Sequence, residues 1–205
     1  MDDPKTKSNH EFGNKLTDWL KSPGRKTISD LMEVFSEKSF AVVLLVLMII
    51  PALPLPTGGI THIFEVISVV VAIELVIGRK TIWLPNKWLK RDISSISNRK
   101  TIAVLTKILR WVESHTKPRL ANLIKNKSFM RVTGMLVALF SIAAFLAPPF
   151  SGFDTLPSLA IVFITLSIIL EDIYLYILGL ILGLIGIITV ITVGSVVFHS
   201  IKYWF

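Results

Sequence analysis

The sequence predicts an all-α polytopic membrane protein of about four to five transmembrane or re-entrant helices in two weak repeats. Apolar residues make up 52% of the 205 residues and the mean hydropathy is +0.66, which exceeds what a soluble domain of this length needs for one core. Two long stretches, residues 39–78 and 132–198, are also almost free of charge. At roughly 20 residues per crossing, the first stretch is long enough for two passes and the second for three.

The N-terminal region, residues 1–38, carries seven basic and seven acidic side chains and is predicted to be cytoplasmic and amphipathic. A short helical piece at Trp19 and Leu20 ends at the SPG of residues 22–24, and Ser29 or Asp30 can cap the next helix. The region is too polar for a cleaved secretory peptide, so we expect the first span to stay as an uncleaved anchor.

The segment 79–131 is strongly basic, with fourteen Lys or Arg against two acids. Short basic loops stay on the cytoplasmic side, so we expect this segment and the N-terminus to be cytoplasmic. Its basic residues alternate with Trp83, Trp88 and Trp111, which is typical of interfacial helices on anionic lipids and does not favour nucleic-acid binding. Cytoplasmic helices packed on each other are the alternative.

Proline and glycine interrupt both apolar stretches, in PALPLPTGG from residue 51 and in LAPPFSGFDTLP at residues 146–157. Because proline removes a backbone donor and disfavours helix in the residue before it, neither break can be continuous helix. Each break is either an outside turn between two spans or a re-entrant tip inside the membrane. The break residues that we predict to be functional are Pro51, Pro54, Pro56, Gly58, Gly59, Pro148, Pro149, Asp154 and Pro157.

A weak internal repeat relates the two stretches. An offset of 97 residues aligns Pro51 with Pro148, Thr61 with Ser158, Ser68 with Thr165, and Glu74 with Glu171. Repeated pairs of interrupted apolar segments favour a membrane-embedded site between the repeats.

The first break is followed by polar residues at helical spacing. His62, Glu65 and Ser68 stand three residues apart, so a helix would place them on one side. An ionisable side chain within a span is costly and is typical of a functional site, here for relaying a proton or binding a cation. The alternative is that Glu65 lies near the interface at a helix start, where a negative charge is favoured.

Other polar residues are predicted to lie at the membrane rim. Glu74 and Arg79 are five residues apart, as a snorkelling ion pair at the cytoplasmic rim would be, and Trp83 and Pro85 follow. Glu171 and Asp172 look like the end of one span and the capped start of the next.

The sequence contains no pattern typical of an enzyme. No Ser, His and Asp order, phosphate-binding glycine loop or HExxH pattern occurs, and the absence of cysteine excludes thiolate metal sites. We therefore expect no catalytic residue, cofactor or metal. Gly179 and Gly183 form a GxxxG pair that lets helices approach closely, and a homo-oligomer is left open.

Four pieces of the chain resemble one family. They are residues 28–60 with the proline-rich break, residues 74–93 with Gly78, Arg79, Trp83, Leu84 and Pro85, residues 111–120 with Trp111, Glu113, Pro118 and Arg119, and residues 146–183 with Glu171 and Asp172. In this order they resemble the ExoD family of bacterial exopolysaccharide-synthesis membrane proteins. The chain departs from the family pattern at Glu74, Asp154 and Ile173. The resemblance implies a multi-pass protein of the bacterial cytoplasmic (inner) membrane and brings no catalytic residue.

Two functions follow as hypotheses. The first is an inner-membrane protein that supports exopolysaccharide synthesis or export as a non-catalytic accessory or small carrier, together with the polysaccharide-synthesis machinery. The second is a transporter of a small ion or lipid-linked species that uses His62 and Glu65. The predicted regions are a cytoplasmic N-terminal region (1–38), a first membrane repeat (39–78), a basic linker (79–131), a second repeat plus final span (132–198) and a short tail (199–205).

Overall fold

The computed structural model describes residues 14, 17–24, 26–34, 38–53, 60–79, 82–83, 85–90, 107, 120–124, 126–148 and 151–204, with the backbone alone for residues 31, 60, 121 and 196–204. These residues form helices and no strand, so the all-helical prediction is confirmed. The helices after residue 27 are α1 (Ile28–Val34), α2 (Ser39–Met48), α3 (Ile60–Ile77), α4 (Asn86–Leu89), α5 (Ala121–Ile124), α6 (Lys127–Leu146), α7 (Thr155–Leu170) and α8 (Ile173–Trp204).

Some predicted features fall outside the described residues. They are Pro54, Pro56, Gly58, Gly59, Pro149 and most of the amphipathic helix predicted within residues 79–131.

Helix α1 begins one residue after Thr27, which caps it. The Thr27 hydroxyl accepts a hydrogen bond from the backbone N–H of Asp30 at 3.2 Å, and the Asp30 carboxylate accepts one from the N–H of Thr27 at 3.0 Å. This reciprocal arrangement satisfies two of the helix's unpaired donors. The cap predicted at Ser29 or Asp30 is therefore wrong, because both residues lie inside the helix and Asp30 supports the cap from its third position.

Helices α2, α3, α6 and α7 form a ring in which each packs on two others. Helix α3 packs on α6 and α2, and α7 packs on α2 and α6, so α3 and α7 lie opposite one another. Helix α8 packs outside this ring, mainly along α7.

Two kinds of apolar helix build the structure. Lys127–Leu146 and Ile173–Ser195 are long and apolar enough to cross a membrane, whereas Ser39–Met48 and Thr155–Leu170 are apolar but shorter. The short helices are the most enclosed, since nine of the ten residues of α2 and twelve of the sixteen residues of α7 are buried. Helices α2 and α7 thus lie inside the structure, whereas α6 and α8 expose apolar side chains on their outer faces.

The ring has two distinct ends. At the end that we call the corner end, Lys38 before α2 contacts Glu171 after α7, and Gly78 after α3 lies beside the guanidinium of Arg131 near the start of α6. At the other end, which we call the break end, the imidazole of His62 lies edge-on to the ring of Phe145, with 5.6 Å between ring centroids. Helices α2 and α6 therefore run from the corner end to the break end, and α3 and α7 return.

Glycines on α8 allow its close approach to the ring. The Cα of Gly179 faces Ala160 and Ile164 on α7, and Gly183 lies directly against the ring of Phe140 on α6. A Cβ added at Gly186 would lie 2.8 Å from Pro157. The predicted GxxxG pair thus serves packing within this chain.

Candidate functional site

The break end holds a hydrogen-bonded pair of titratable side chains, His62 and Glu65. His62 Nδ1 lies 2.7 Å from Glu65 Oε2, and the side chains are 24% and 0% exposed, respectively. Residues three apart are neighbours on a helix surface, and the structure places both side chains on the face of α3 that their spacing predicts.

The other carboxylate oxygen of Glu65, Oε1, is buried and has no hydrogen-bond partner among the described residues. The hydroxyl of Ser158 on α7 is in the same situation. Buried polar atoms are nearly always paired, and an unpaired one is costly. These two atoms are therefore the places in the described structure where a proton or a ligand would gain most by binding.

Asp154 completes the group of charges at this end. It directly precedes α7, is partly buried, and interacts electrostatically with both His62 and Glu65. Burial raises the pKa of the Asp154 carboxyl above its ordinary value of 3.8, against the opposing effects of backbone hydrogen bonds and of His62.

The polar side chains continue inward in layers. On α3, Ser68 lies one turn beyond Glu65, and its hydroxyl is 2.9 Å from that of Ser141 on α6, with both serines buried. On α7, Ser158 lies one turn beyond Asp154. Since α3 and α7 both start at the break end, His62 and Asp154 form an outer layer of this site.

The corner end has a different chemistry, in which buried charge is paired. Glu74 Oε2 accepts a hydrogen bond from the backbone N–H of Trp83 at 2.7 Å, and Arg79 Nη1 lies 3.4 Å from Glu74 Oε1. The Arg79 guanidinium also lies 5.8 Å from the centre of the Trp83 ring. The predicted ion pair of Glu74 and Arg79 is therefore present.

Glu171 and Lys38 join distant parts of the chain at the same end. Lys38 Nζ lies 3.0 Å from Glu171 Oε1 and donates to the carbonyl of Ile169 at 2.8 Å. The carbonyl of Glu171 accepts a hydrogen bond from the N–H of Leu120 at 2.6 Å. Glu171 adopts a left-handed conformation (φ 60°) after α7, which turns the chain toward α8.

Asp172 caps the start of α8, because its carboxylate accepts a hydrogen bond from the N–H of Tyr174 at 2.8 Å. The predicted end of one helix at Glu171 and capped start of the next at Asp172 are confirmed.

A family model described as "Exopolysaccharide synthesis, ExoD" matches residues 14–192. This chain belongs to the ExoD family. It is also 29% identical over 138 residues to "Uncharacterized protein slr1875" of Synechocystis sp. (strain ATCC 27184 / PCC 6803 / Kazusa), a match that covers 67% of this chain and 64% of that protein. No solved structure matches.

The residues that carry the ExoD resemblance are divided between the two ends. Gly78, with φ 82°, lets the chain turn after α3, and Arg79 and Trp83 close over Glu74. Three of the break prolines lie toward the break end, where Pro51 and Pro157 are buried and Pro148 is partly buried. Pro85 is exposed and precedes α4.

The sequence did not predict several residues that take part in the contacts at the two ends of this ExoD-family chain. Ser141 and Lys38 contact residues 73 and 131 positions away, and local spacing carries no signal for such pairs. Ser158 was aligned with Thr61 by the repeat, which was a signal that could have found it. Within the part of the chain that the structure describes, no three His, Asp or Glu side chains are arranged to hold a metal ion.

Proposed function

We propose that this protein is a multi-pass protein of the bacterial inner membrane that supports exopolysaccharide synthesis or export as a non-catalytic accessory or small carrier. The observation that carries the proposal is the family match over residues 14–192, whose description names exopolysaccharide synthesis. The polysaccharide-synthesis machinery is the proposed partner.

The surface of the long helices supports a membrane location. Apolar side chains that are 44–64% exposed recur along the outside of α6 and α8, where lipid would cover them. They are Val132, Met135, Leu139, Ile142, Ile177, Ile181, Leu184, Ile188 and Ile191. Basic side chains before α2 and α6, with the basic segment 79–131, fit a corner end that faces the cytoplasm and anionic lipids.

The point along α8 at which the second break packs supports a re-entrant geometry, in which the break lies inside the membrane. Pro157 packs on Gly186, and nine more residues of the apolar segment Ile173–Ser195 follow, which is about 14 Å of helix. Helix α7 has 16 residues, about 24 Å, which is short of a hydrocarbon core of about 30 Å. We propose that α7 starts within the inner membrane, below its periplasmic surface, and that the two breaks lie side by side at that depth. Cysteine accessibility scanning of residues 52–60 tests this, and labelling from the periplasm at every position would refute it.

The accessory or carrier role is tested in a strain that lacks the gene. Complementation with the wild-type gene should restore exopolysaccharide output, whereas a deletion strain with unchanged output would refute the role. An accessory should co-purify with a protein of the synthesis machinery, and substitutions at Arg79, Lys87 or Arg91 should then reduce output more than one at Glu65.

A carrier of a small ion or lipid-linked species is the second candidate, favoured by the buried Glu65 with its unpaired Oε1. A carrier requires a group that changes its protonation or ligand during each cycle. Glu65→Gln should then abolish output at equal amounts of inserted protein. Glu74→Gln is the matched control, since it makes the same change on the same helix at the corner end and should retain output. Wild-type output from Glu65→Gln would refute the carrier.

A further inference from the structure

The corner end presents an exposed cation where α3 ends. The Gly78 N–H bonds back to the Leu75 carbonyl at 3.1 Å. The Arg79 N–H bonds to the Glu74 carbonyl at the same distance. This pair of bonds is the usual end of a helix at a left-handed glycine, and it fixes Arg79 directly after the turn. The Arg79 side chain is nearly half exposed, so part of its guanidinium faces outward from the Glu74 carboxylate.

A second guanidinium, that of Arg131 on α6, lies at the same turn. A Cβ added at Gly78 would lie 3.5 Å from both Nε and Nη2 of Arg131, so the glycine leaves room for this guanidinium. Arg131 is exposed and has no hydrogen-bond or ion-pair partner among the described residues. Lys127, one turn earlier on α6, is also exposed, whereas the side chain of the nearby acid, Glu74, is 7% exposed. The surface around Gly78 is therefore positive, and planar guanidiniums match the oxygens of a phosphate.

An exposed apolar groove runs from these cations toward the break end, between α3 and α6. The two helices run in opposite directions and touch at Gly134, where an added Cβ would lie 3.0 Å from the Ala72 carbonyl. In such an antiparallel pair, the residue after the contact residue is turned about 100° to the same side on both helices. These residues are Met135 and Ile73, and both are exposed, as is Ile77 one turn after Ile73. This side of the contact, which we call the α3–α6 groove, therefore has apolar side chains on both walls.

The cations lie at the corner end of the α3–α6 groove. Arg131 precedes Gly134 by three residues, which turns it about 60° to the same side as Met135. Trp83 lies beside Arg79, with 5.8 Å between the guanidinium carbon and the ring centre, and is 63% exposed. Exposed tryptophan is enriched where a membrane meets water. A ligand in the groove would thus meet positive charge at the level of the interface and apolar side chains deeper in the membrane.

We infer that the α3–α6 groove is a binding site for one anionic phospholipid. The guanidiniums of Arg131 and Arg79 hold its phosphate, and an acyl chain lies along the exposed apolar side chains of the groove. This inference rests on the proposed membrane location. It goes beyond a general attraction of the basic segment 79–131 to anionic lipid, because one lipid is assigned to one groove. Arg131 contributes most to the affinity, since Arg79 also faces Glu74.

Native mass spectrometry of the full chain in a non-ionic detergent tests the site, with phosphatidylglycerol as the probe. The wild type should bind one phosphatidylglycerol more tightly than any further lipid. Arg131→Gln should raise the dissociation constant of this first lipid about tenfold or more, since a hydrogen bond to a charged group is worth at least that factor. Phosphatidylcholine has no net charge and should bind to the wild type at least about tenfold more weakly than phosphatidylglycerol. Equal binding of the two lipids would overturn the inference.

Lys107→Gln is the matched control, because it removes an exposed cation from the same basic segment and should leave the dissociation constant unchanged. Arg131→Lys keeps the charge but loses the planar donors, so its affinity should lie between those of the wild type and Arg131→Gln. Circular dichroism confirms that every variant retains its helices. A wild-type constant in Arg131→Gln, or an equal rise in Arg131→Gln and Lys107→Gln, would overturn the inference.

Inorganic phosphate distinguishes a lipid site from a site for a free ion. At a concentration equal to that of the lipid it should leave the first phosphatidylglycerol bound, since a free ion makes no contact with the apolar groove, and displacement would overturn the lipid site. Binding is measured on the purified chain, independently of exopolysaccharide output. A bound lipid, with unchanged output in the deletion strain, would refute the accessory or carrier role and leave the lipid site standing. Loss of output in that strain, with no preference for phosphatidylglycerol, would do the reverse.

Discussion

The two ends of the helical ring treat buried charge in opposite ways. At the corner end, Glu74 and Glu171 are each held by a cation, and Glu74 also by a backbone donor. At the break end, Glu65 has one partner, the titratable His62, and leaves an oxygen unpaired among the described residues. A carboxylate with fixed partners stabilises a fold, whereas one whose partner titrates can change state. Glu74 and Glu171 therefore hold the chain in place, whereas Glu65 is available for function.

The largest loss of stability is expected at the contact between Gly186 on α8 and Pro157 in the first turn of α7. Gly186→Ala would place a Cβ 2.8 Å from both the backbone N and the ring of Pro157, which cannot move without shifting the start of α7. We expect the free energy of unfolding in detergent to fall by about 1–3 kcal/mol. Gly194→Ala is the control, because nothing lies within 4 Å of that position. Equal stability of the two variants would show that α7 is not fixed against α8.

A Glu-to-Gln substitution at each end tests directly whether the two ends differ in how they stabilise a buried carboxylate. Glu74→Gln weakens a charge-assisted hydrogen bond to the Trp83 N–H and the pair with Arg79, and should cost about 1–2 kcal/mol of unfolding free energy. Glu65→Gln removes a buried charge with one unpaired oxygen, and its amide oxygen can still accept from His62. We expect Glu65→Gln to cost less than Glu74→Gln. The reverse order in denaturant titrations would contradict the division between the ends.

A smaller effect is expected where α3 and α6 meet. Ser68→Ala or Ser141→Ala alone leaves a buried hydroxyl without its partner and should cost about 1 kcal/mol, while the double variant should lose less than the sum. A double-mutant cycle measures this coupling. Additive losses would show that the two hydroxyls do not interact.

The smallest expected effect is a change in pH dependence at Asp154. Because its pKa is raised in the folded protein, the stability contribution of this acid is fully present below its ordinary value of 3.8 and declines as pH rises through the raised value. Asp154→Asn removes the ionisation, so the variant should equal the wild type at the lowest pH and become relatively more stable as pH rises. Thermal unfolding at a series of pH values checks this, and a difference that does not vary with pH would contradict it.

Local sequence patterns predicted those features of each end that involve residues close together in the sequence. The spacing of His62 and Glu65 predicted a shared helix face, and the adjacent acids Glu171 and Asp172 predicted a helix end and a helix start, because helical periodicity and capping act over a few residues. The partners from other helices were not predictable in this way. The pairs Ser68 with Ser141 and Lys38 with Glu171 depend on which helices are neighbours in the ring, and a single sequence does not encode this as a local pattern. The internal repeat and the membrane depth of the breaks stay predictions.

The position of α2 has a consequence for the order of assembly. This ten-residue helix is about 15 Å long, too short to span a bilayer core alone, and it packs on α7, which is synthesised more than 100 residues later. Lys38 at its start likewise finds the Ile169 carbonyl and Glu171 only once the end of α7 has been made. This apolar helix therefore completes its packing only after α7 has been made, and until then part of its apolar surface lacks the helix that buries it.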